Sequence, residues 1–217
     1  MYKAVIFDLD GTILDTLDDL ADSVNFALQK HGLPVRENAE IRSFLGNGMV
    51  NLVKLSAGDK AENIEGILAD FKEYYAKHSA DKTKPYDGVL ETISALKEQG
   101  VKTAVLSNKG DFAVQPLVKR YFGGLIERAQ GENEAAGVLR KPNPDGVYKI
   151  MKELGVTEKE TVFVGDSEVD IQTAKNAGVV CISVVWGFKD REFLKKNGAK
   201  TFVETPLEIL KFCEVKE

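Results

Sequence analysis

The sequence predicts an α/β fold, a doubly wound parallel sheet with an all-helical cap inserted after its first strand. Three observations support this prediction. Short apolar runs rich in Val, Ile, Leu and Phe recur without polar alternation, as in strands that helices cover on both faces. Helical patterns that end at glycines separate these runs. One long segment near the N-terminus is helical throughout and contains no candidate strand.

Six apolar runs are the candidate strands. The five strong runs are residues 4–7, 101–106, 161–164, 179–185 and 201–203, and 125–129 is a weaker candidate. The clearest helical patterns between them are 88–99, 144–154 and 169–177. Each of these patterns is followed by a glycine, the residue that the end of a helix favours. Strands that alternate with helices in this way predict a parallel sheet with helical crossovers.

The segment 15–82 breaks this alternation. The apolar positions of its first helix are Leu17, Leu20, Ala21, Val24, Ala27 and Leu28. We predict a catalytic core formed by residues 1–14 and 83–217, and a helical cap formed by 15–82. Ligands of open α/β sheets bind at the carboxyl ends of the strands, and this insert begins just after the carboxyl end of the first strand. We therefore expect the cap to cover the site. A helical embellishment without a function is the alternative.

Composition narrows the possible partners and the compartment. Charged residues make up 29% and the net charge is −5, which argues against nucleic acid and anionic membranes as partners. A bound metal ion can still reverse the charge of one pocket. The apolar run at the N-terminus is too short for a signal peptide or a membrane span. Cys181 and Cys213 form no disulfide framework, so we expect a cytoplasmic protein.

An acid pair follows the first predicted strand in the stretch FDLDGT. Side chains two positions apart on a strand point the same way, so Asp8 and Asp10 share a face. Two carboxylates at the end of a buried strand repel each other and resist desolvation. A divalent cation relieves this cost, and oxygen ligands suit magnesium. An ordinary Asp-Gly turn at Gly11 is the alternative, but such a turn does not account for Asp8.

Polar residues also follow the predicted strand 101–106. If this strand neighbours the first one, Ser107 and Asn108 lie beside the acid pair. A hydroxyl and backbone N–H groups at the start of a helix suit a phosphate. A simple helix N-cap is the alternative, since Ser and Asn both favour that position. We expect the next residue, Lys109, to be solvated.

Two further segments carry candidate site residues. Pro142 favours an extended backbone at Lys141, whose ammonium could neutralise a phosphate oxygen and a nearby carboxylate. A surface turn is the alternative for this lysine. Asp166 follows the strand 161–164 in the stretch GDSEVD. Ser167 and Asp170 have the spacing of a helix-capping pair, and Asp170 can serve both the cap and the site.

The order of these motifs along the chain resembles that of the haloacid dehalogenase-like hydrolase superfamily. The stretch DLDGT resembles its nucleophile loop, and Ser107, Lys141 and GDSEVD resemble its other three motifs in order. The helical insert lies where this superfamily carries a helical cap on its Rossmann-like core. The stretches FLGNGMVNLV, YDGV and WGF resemble the phosphoglycolate phosphatase-like branch.

The resemblance implies a two-step phosphatase. Asp8 attacks phosphorus and becomes an aspartyl-phosphate, and Asp10 protonates the leaving oxygen and then activates water. Mg²⁺ is held by the Asp8 carboxylate, the Asp10 backbone carbonyl and Asp166, with Asp170 in support. The residues predicted to bind the phosphoryl group are Ser107, Asn108 and Lys141.

The expected substrate is a small phosphorylated metabolite, with 2-phosphoglycolate as the preferred choice. In the cap, the turn formed by Gly46, Asn47 and Gly48 leads into a helix whose free N–H groups suit a carboxylate. An ordinary helix–helix turn is the alternative. The rival activities are those of a phosphomutase, a nucleotidase, a pyrophosphatase or a dehalogenase, and the non-enzymatic rival is a phospho-accepting signalling module. We expect a monomer or a homodimer.

Overall fold

The computed structural model describes residues 2–59, 62–133 and 137–213. Its strands are β1 (Ala4–Phe7), β2 (Leu14–Asp15), β3 (Lys84–Pro85), β4 (Lys102–Gly110), β5 (Arg128–Glu132), β6 (Thr161–Gly165), β7 (Val180–Val184) and β8 (Thr201–Val203). Its α-helices are α1 (Leu17–Lys30), α2 (Asn38–Phe44), α3 (Gly48–Ala57), α4 (Ile64–His78), α5 (Val89–Glu98), α6 (Asp111–Phe122), α7 (Asp145–Leu154), α8 (Glu168–Ala177) and α9 (Arg191–Lys196).

Six strands form one parallel sheet in the order β5-β4-β1-β6-β7-β8. The middle strand β1 is buried over its whole length, because helices cover both faces of the sheet. Phe7 at its end pairs with Val105 of β4 and with Val164 of β6. The predicted α/β fold is therefore confirmed, and the carboxyl ends of three adjacent strands lie side by side.

Several element boundaries differ from the prediction. The weak candidate strand 125–129 is observed as β5, three residues further along the chain. Strand β4 does not end at residue 106 but continues to Gly110, because its pairing with β5 shifts register after Leu106 and resumes at Gly110. Ser107 and Asn108 therefore lie within a strand and not in a strand-to-helix turn. Helices α6 and α9 were not among the predicted helical patterns.

The four helices α1–α4 form the cap and bury an apolar core of their own. The large side chains at its centre include Leu28, Ile67, Phe71 and Tyr75. At the root of the cap, β2 and β3 form a two-stranded antiparallel ribbon, which the sequence did not predict because each strand is only two residues long. The predicted cap limits at residues 15 and 82 stay a prediction.

The described parts of the chain contain no helix with both the length and the apolar character needed to cross a bilayer. Neither cysteine forms a disulfide. Cys213 is buried, and Cys181 is partly buried on β7.

Candidate active site

The carboxyl ends of β1, β4 and β6 bring the predicted motifs together. Asp8 follows β1 directly, and its backbone N–H donates a hydrogen bond to the carbonyl of Val164 at 2.8 Å. Asp166 follows β6, and Ser107 lies near the end of β4. All three side chains line the same pocket, as the sequence predicts for neighbouring strands.

Three buried carboxylates meet in this pocket. Asp8, Asp166 and Asp170 each offer an oxygen atom, and these atoms lie within 4.8 Å of one another. Burial, together with the negative charge of Asp170, raises the pKa of Asp8 to about 7 although Lys141 opposes this effect. Burial and the charges of Asp170 and Asp8 raise the pKa of Asp166 well above its ordinary value. A set of hard oxygen donors with this unfavourable charge is suited to a divalent cation.

Two glycines make room for Asp166. The Asp166 carboxylate accepts a hydrogen bond of 2.6 Å from the backbone N–H of Phe188. A Cβ atom added at Gly11 would lie 2.3 Å from Asp166 Oδ2, and one at Gly187 would lie 2.4 Å from Asp166 Cβ. Gly11 also has φ +80°, which an L side chain rarely adopts. Both loops therefore need glycine for the carboxylate to lie beside Asp8.

The Lys141 ammonium is buried between two carboxylates. Its Nζ lies 2.8 Å from Asp8 Oδ1 and 2.6 Å from Asp170 Oδ1. Burial alone lowers the pKa of this lysine, but the charges of Asp170 and Asp8 outweigh burial and raise it. Lys141 is therefore held as a fixed positive charge beside the predicted nucleophile. The alternative of a surface lysine is wrong for this residue, which is only 5% exposed.

The Asn108 side chain holds the main chain at Lys141. Its Oδ1 accepts a hydrogen bond from the Lys141 N–H at 2.7 Å, and its Nδ2 donates to the Lys141 carbonyl at 3.0 Å. The same Nδ2 donates to the carbonyl of Gly46 in the cap at 3.2 Å. The amide thus joins two core motifs and the cap, while its predicted contact with a phosphoryl group stays a prediction.

Asp170 forms the predicted helix cap and also belongs to the group of three buried acids, while its role in a metal site stays a prediction. It forms the capping pair of α8 with Ser167, whose N–H and hydroxyl both donate to Asp170 Oδ2, at 3.1 and 2.6 Å. Its other oxygen pairs with Lys141. Because both oxygens already have partners, this carboxylate is well placed to support a metal site by orienting its neighbours.

The Asp10 carboxylate is not part of the group of three carboxylates and pairs with Lys109. Lys109 Nζ lies 2.8 and 3.1 Å from the two Asp10 oxygens, and the Thr16 hydroxyl donates to Asp10 Oδ1 at 2.7 Å. The expectation that Lys109 is solvated is wrong, since the residue is 4% exposed. The error follows from the boundary of β4: this strand continues through Lys109 and directs its side chain into the pocket.

The cap forms the opposite wall of the pocket. Gly46, Gly48 and Met49 line it, with α3 starting at Gly48. Asn47 instead lines an adjacent polar groove, and its carbonyl accepts a hydrogen bond from the Arg140 guanidinium at 3.3 Å. The binding of a carboxylate by this cap loop stays a prediction.

Arg42 of α2 fastens the cap to the loop that holds Asp166. Its guanidinium donates to the carbonyls of Gly187 at 2.5 Å and Phe188 at 2.9 Å. The N–H of the same Phe188 donates to Asp166. Arg42 could not be predicted from the sequence, because no sequence signal links a cap arginine to carbonyls that lie about 145 residues away.

Comparison with known proteins places these features in a family. The family model described as haloacid dehalogenase-like hydrolase matches residues 5–184. Phosphoglycolate phosphatase 1 of Pseudomonas aeruginosa is 35% identical over 198 residues, covering 86% of this chain and 70% of that protein. The N-acetylmuramic acid 6-phosphate phosphatase of the same species is 29% identical over 212 residues, covering 96% and 93%.

A solved structure supports the same relation. A crystal structure from Lactobacillus delbrueckii, of a protein provisionally named phosphoglycolate phosphatase, superposes with a TM-score of 0.90. It is 37% identical in sequence, and the match covers 97% of this chain and 98% of that one. The match therefore includes the sheet, the cap and the loops that carry the site residues.

Proposed function

The chain belongs to the haloacid dehalogenase-like hydrolase family, and we propose that it hydrolyses a small phosphomonoester through an aspartyl-phosphate on Asp8. The observation that carries this proposal is the position of Asp8. Its carboxylate lies in the pocket between a buried ammonium and two further buried carboxylates. A carboxylate placed in this way has a nucleophilic oxygen, a fixed positive charge beside it and donors for a cation.

In the first step, an Asp8 oxygen attacks phosphorus, and the bond from phosphorus to the leaving oxygen breaks. Asp10 gives a proton to that oxygen. In the second step, Asp10 takes a proton from water, the water oxygen attacks phosphorus, and the bond from phosphorus to Asp8 breaks. Thr16 and Lys109 hold the Asp10 carboxylate in place for both transfers.

The phosphoryl oxygens would contact residues of the core. Ser107 Oγ accepts a hydrogen bond from the Lys109 N–H at 3.2 Å, which leaves the hydroxyl hydrogen to donate to a phosphoryl oxygen. The Lys141 ammonium has three N–H groups and can turn one towards the substrate. Asn108 contributes by fixing the Lys141 main chain.

The group of acids fits Mg²⁺ in its charge and in its oxygen donors. We propose that Asp8, Asp166 and the backbone carbonyl of Asp10 hold this ion, with Asp170 in support. When bound, the ion supplies positive charge that offsets the carboxylates and the phosphoryl oxygens. The second acid Asp10 and the acids of the stretch GDSEVD also favour a phosphatase over a dehalogenase, because carbon–halogen cleavage by a nucleophilic aspartate needs no metal ion.

We propose 2-phosphoglycolate as the substrate, because the relatives named phosphoglycolate phosphatase match most of this chain. The relative that is named for N-acetylmuramic acid 6-phosphate makes a sugar phosphate the second candidate. A comparison of kcat/KM for 2-phosphoglycolate, a sugar phosphate, a nucleoside monophosphate and pyrophosphate, with EDTA controls, tests this choice. A clear preference for any of the last three would contradict the named substrate.

The nucleophile has its own test. Asp8→Asn is nearly isosteric but cannot attack phosphorus, so turnover should vanish while the fold is kept. Asp87→Asn replaces an exposed aspartate and serves as the matched control. If the purified Asp8→Asn protein kept a tenth of the wild-type rate, the covalent mechanism would be wrong.

A further inference from the structure

The part of the pocket that faces the leaving group is apolar on the cap side. The side chains that α1, α3 and the loop before α3 contribute to it are Leu20, Leu45, Met49 and Leu52. A sugar or nucleoside would bury several hydroxyl groups against these side chains without partners, at a considerable cost for each. The cap wall therefore favours a small leaving group with few polar atoms.

Tyr75 is the polar exception in this wall. It belongs to α4, is completely buried and lines the pocket. Its hydroxyl lies beside the Lys109 ammonium but makes no hydrogen bond of good geometry to any described residue. Buried tyrosine hydroxyls normally have a partner, so an unsatisfied one that faces a substrate pocket points to a ligand atom.

The second polar group on this side is the Lys109 ammonium. Its side chain is 2% exposed, and Nζ lies 4.6 Å from the centre of the Tyr75 ring. Two of its three N–H groups suffice for the Asp10 oxygens at 2.8 and 3.1 Å, which leaves one for another acceptor. The ammonium thus lies between Asp10, the residue proposed to protonate the leaving oxygen, and the Tyr75 hydroxyl of the cap.

The other two lysines that line the pocket lie away from the Tyr75 side of the cap or bind elsewhere. Lys141 pairs with Asp8 and Asp170 in the phosphoryl half of the site. Lys189 reaches away and donates to the carbonyl of Ser43 at 2.9 Å. Lys109 is therefore the pocket cation that is placed to meet a negative charge on the leaving group.

We propose that the Lys109 ammonium and the Tyr75 hydroxyl form a subsite that binds a carboxylate on the leaving group. This inference rests on the proposed phosphatase function and adds the residues that select the substrate. One carboxylate can accept hydrogen bonds from both donors, and its short apolar link to the phosphoryl group contacts the cap leucines. The subsite is complete only when α4 of the cap lies over β4 of the core, so the closed cap recognises the substrate.

The test compares 2-phosphoglycolate with ethyl phosphate, in which a methyl group replaces the carboxylate. The measured quantity is the ratio of the two kcat/KM values. The two esters differ in leaving-group chemistry, and this difference cancels when Tyr75→Phe is compared with wild type, because that change leaves the Lys109–Asp10 pair in place. Lys109→Met also removes a partner of Asp10, so Tyr75→Phe is the primary test. We expect Tyr75→Phe to lower the ratio about tenfold and Lys109→Met to lower it about 100-fold, as for lost hydrogen bonds to a charged group.

Tyr74→Phe is the matched control, since Tyr74 lies on the same helix but stacks on Phe26 outside the pocket. It should leave the ratio unchanged. Circular dichroism checks the fold of each variant. If Lys109→Met does not fold, the ratio measured for Tyr75→Phe alone tests the subsite. Ratios within twofold of wild type in the folded variants would overturn the subsite while leaving the phosphatase intact. A wild-type chain that hydrolyses other phosphomonoesters but not 2-phosphoglycolate would overturn the subsite alone, and one that hydrolyses no phosphomonoester would overturn both proposals.

Discussion

The buried acids predict that the metal-free protein loses stability as the pH rises. The pKa of Asp8 is raised from 3.8 to about 7, chiefly by burial. Between these values the folded chain keeps a proton that the unfolded chain has released, so the free energy of unfolding falls across this range. Once Asp8 is ionised in both states, this difference between its two pKa values lowers the free energy of unfolding by an amount on the order of 4 kcal/mol.

Asp8→Asn removes this cost, because the amide stays neutral at every pH. In EDTA at pH 8 we expect the variant to be more stable than wild type by a few kcal/mol, and at pH 5 by less than half as much. Urea unfolding at the two pH values measures both differences. The exposed Asp87→Asn variant controls for a general effect of charge and should show no such dependence on pH.

Magnesium should act in the opposite direction on the same carboxylate. A cation that binds only the folded chain stabilises it by mass action. Saturating Mg²⁺ should therefore raise the urea concentration at the midpoint of unfolding for wild type at pH 8. The gain should be smaller in Asp8→Asn, which has lost one charged ligand. Two results would contradict the cost of burying Asp8: an equal difference in stability between variant and wild type at pH 5 and pH 8, or a variant that is the less stable protein at pH 8.

Three further substitutions test separate parts of the site. Asp10→Asn should slow both proton transfers. With p-nitrophenyl phosphate, whose good leaving group needs little acid, rapid quenching should reveal trapped phosphoenzyme, and its absence would contradict the role of Asp10. Arg42→Met removes the contacts of the cap with the Gly187 and Phe188 carbonyls and should raise KM and lower kcat together, unlike the exposed Arg128→Met. Gly11→Ala would place a Cβ 2.3 Å from Asp166 Oδ2 and should weaken Mg²⁺ binding at least tenfold, as measured by calorimetry. An unchanged affinity would show that Asp166 does not need glycine at position 11.

The sheet could be predicted from the sequence because its strands are buried on both faces. A run such as Ala4–Phe7 can avoid water only between two layers of helices, and each crossover helix ends at a glycine. The position of β5 was harder to predict, since Arg128–Glu132 has one apolar side chain, Ala129, and lies mostly half-buried or exposed at the edge of the sheet. Pairing with β4, and not its own hydrophobicity, determines where it lies.

The phosphoryl half of the site could be predicted, and the leaving-group half could not. Asp8 and Asp166 follow apolar strands directly, so their positions at the sheet edge follow from local sequence. The burial of Lys109 depends on a register shift between β4 and β5, and the contribution of Tyr75 depends on how the cap closes over the core. Both are properties of tertiary packing, which an apolar pattern does not specify.

Two acid–lysine pairs divide the pocket between the two tasks of the proposed reaction. Asp8 lies beside Lys141, and Asp10 lies beside Lys109, although the two acids are only two residues apart. The Asp8 pair is buried from solvent together with the other acids of the candidate metal site, whereas Asp10 keeps 20% of its side chain exposed under the cap. A nucleophile needs a fixed charge and a dry site, and a proton-transferring acid needs contact with the leaving oxygen and then with water. The different partners of Asp8 and Asp10 are therefore what allow two identical side chains on one strand end to perform different chemistry.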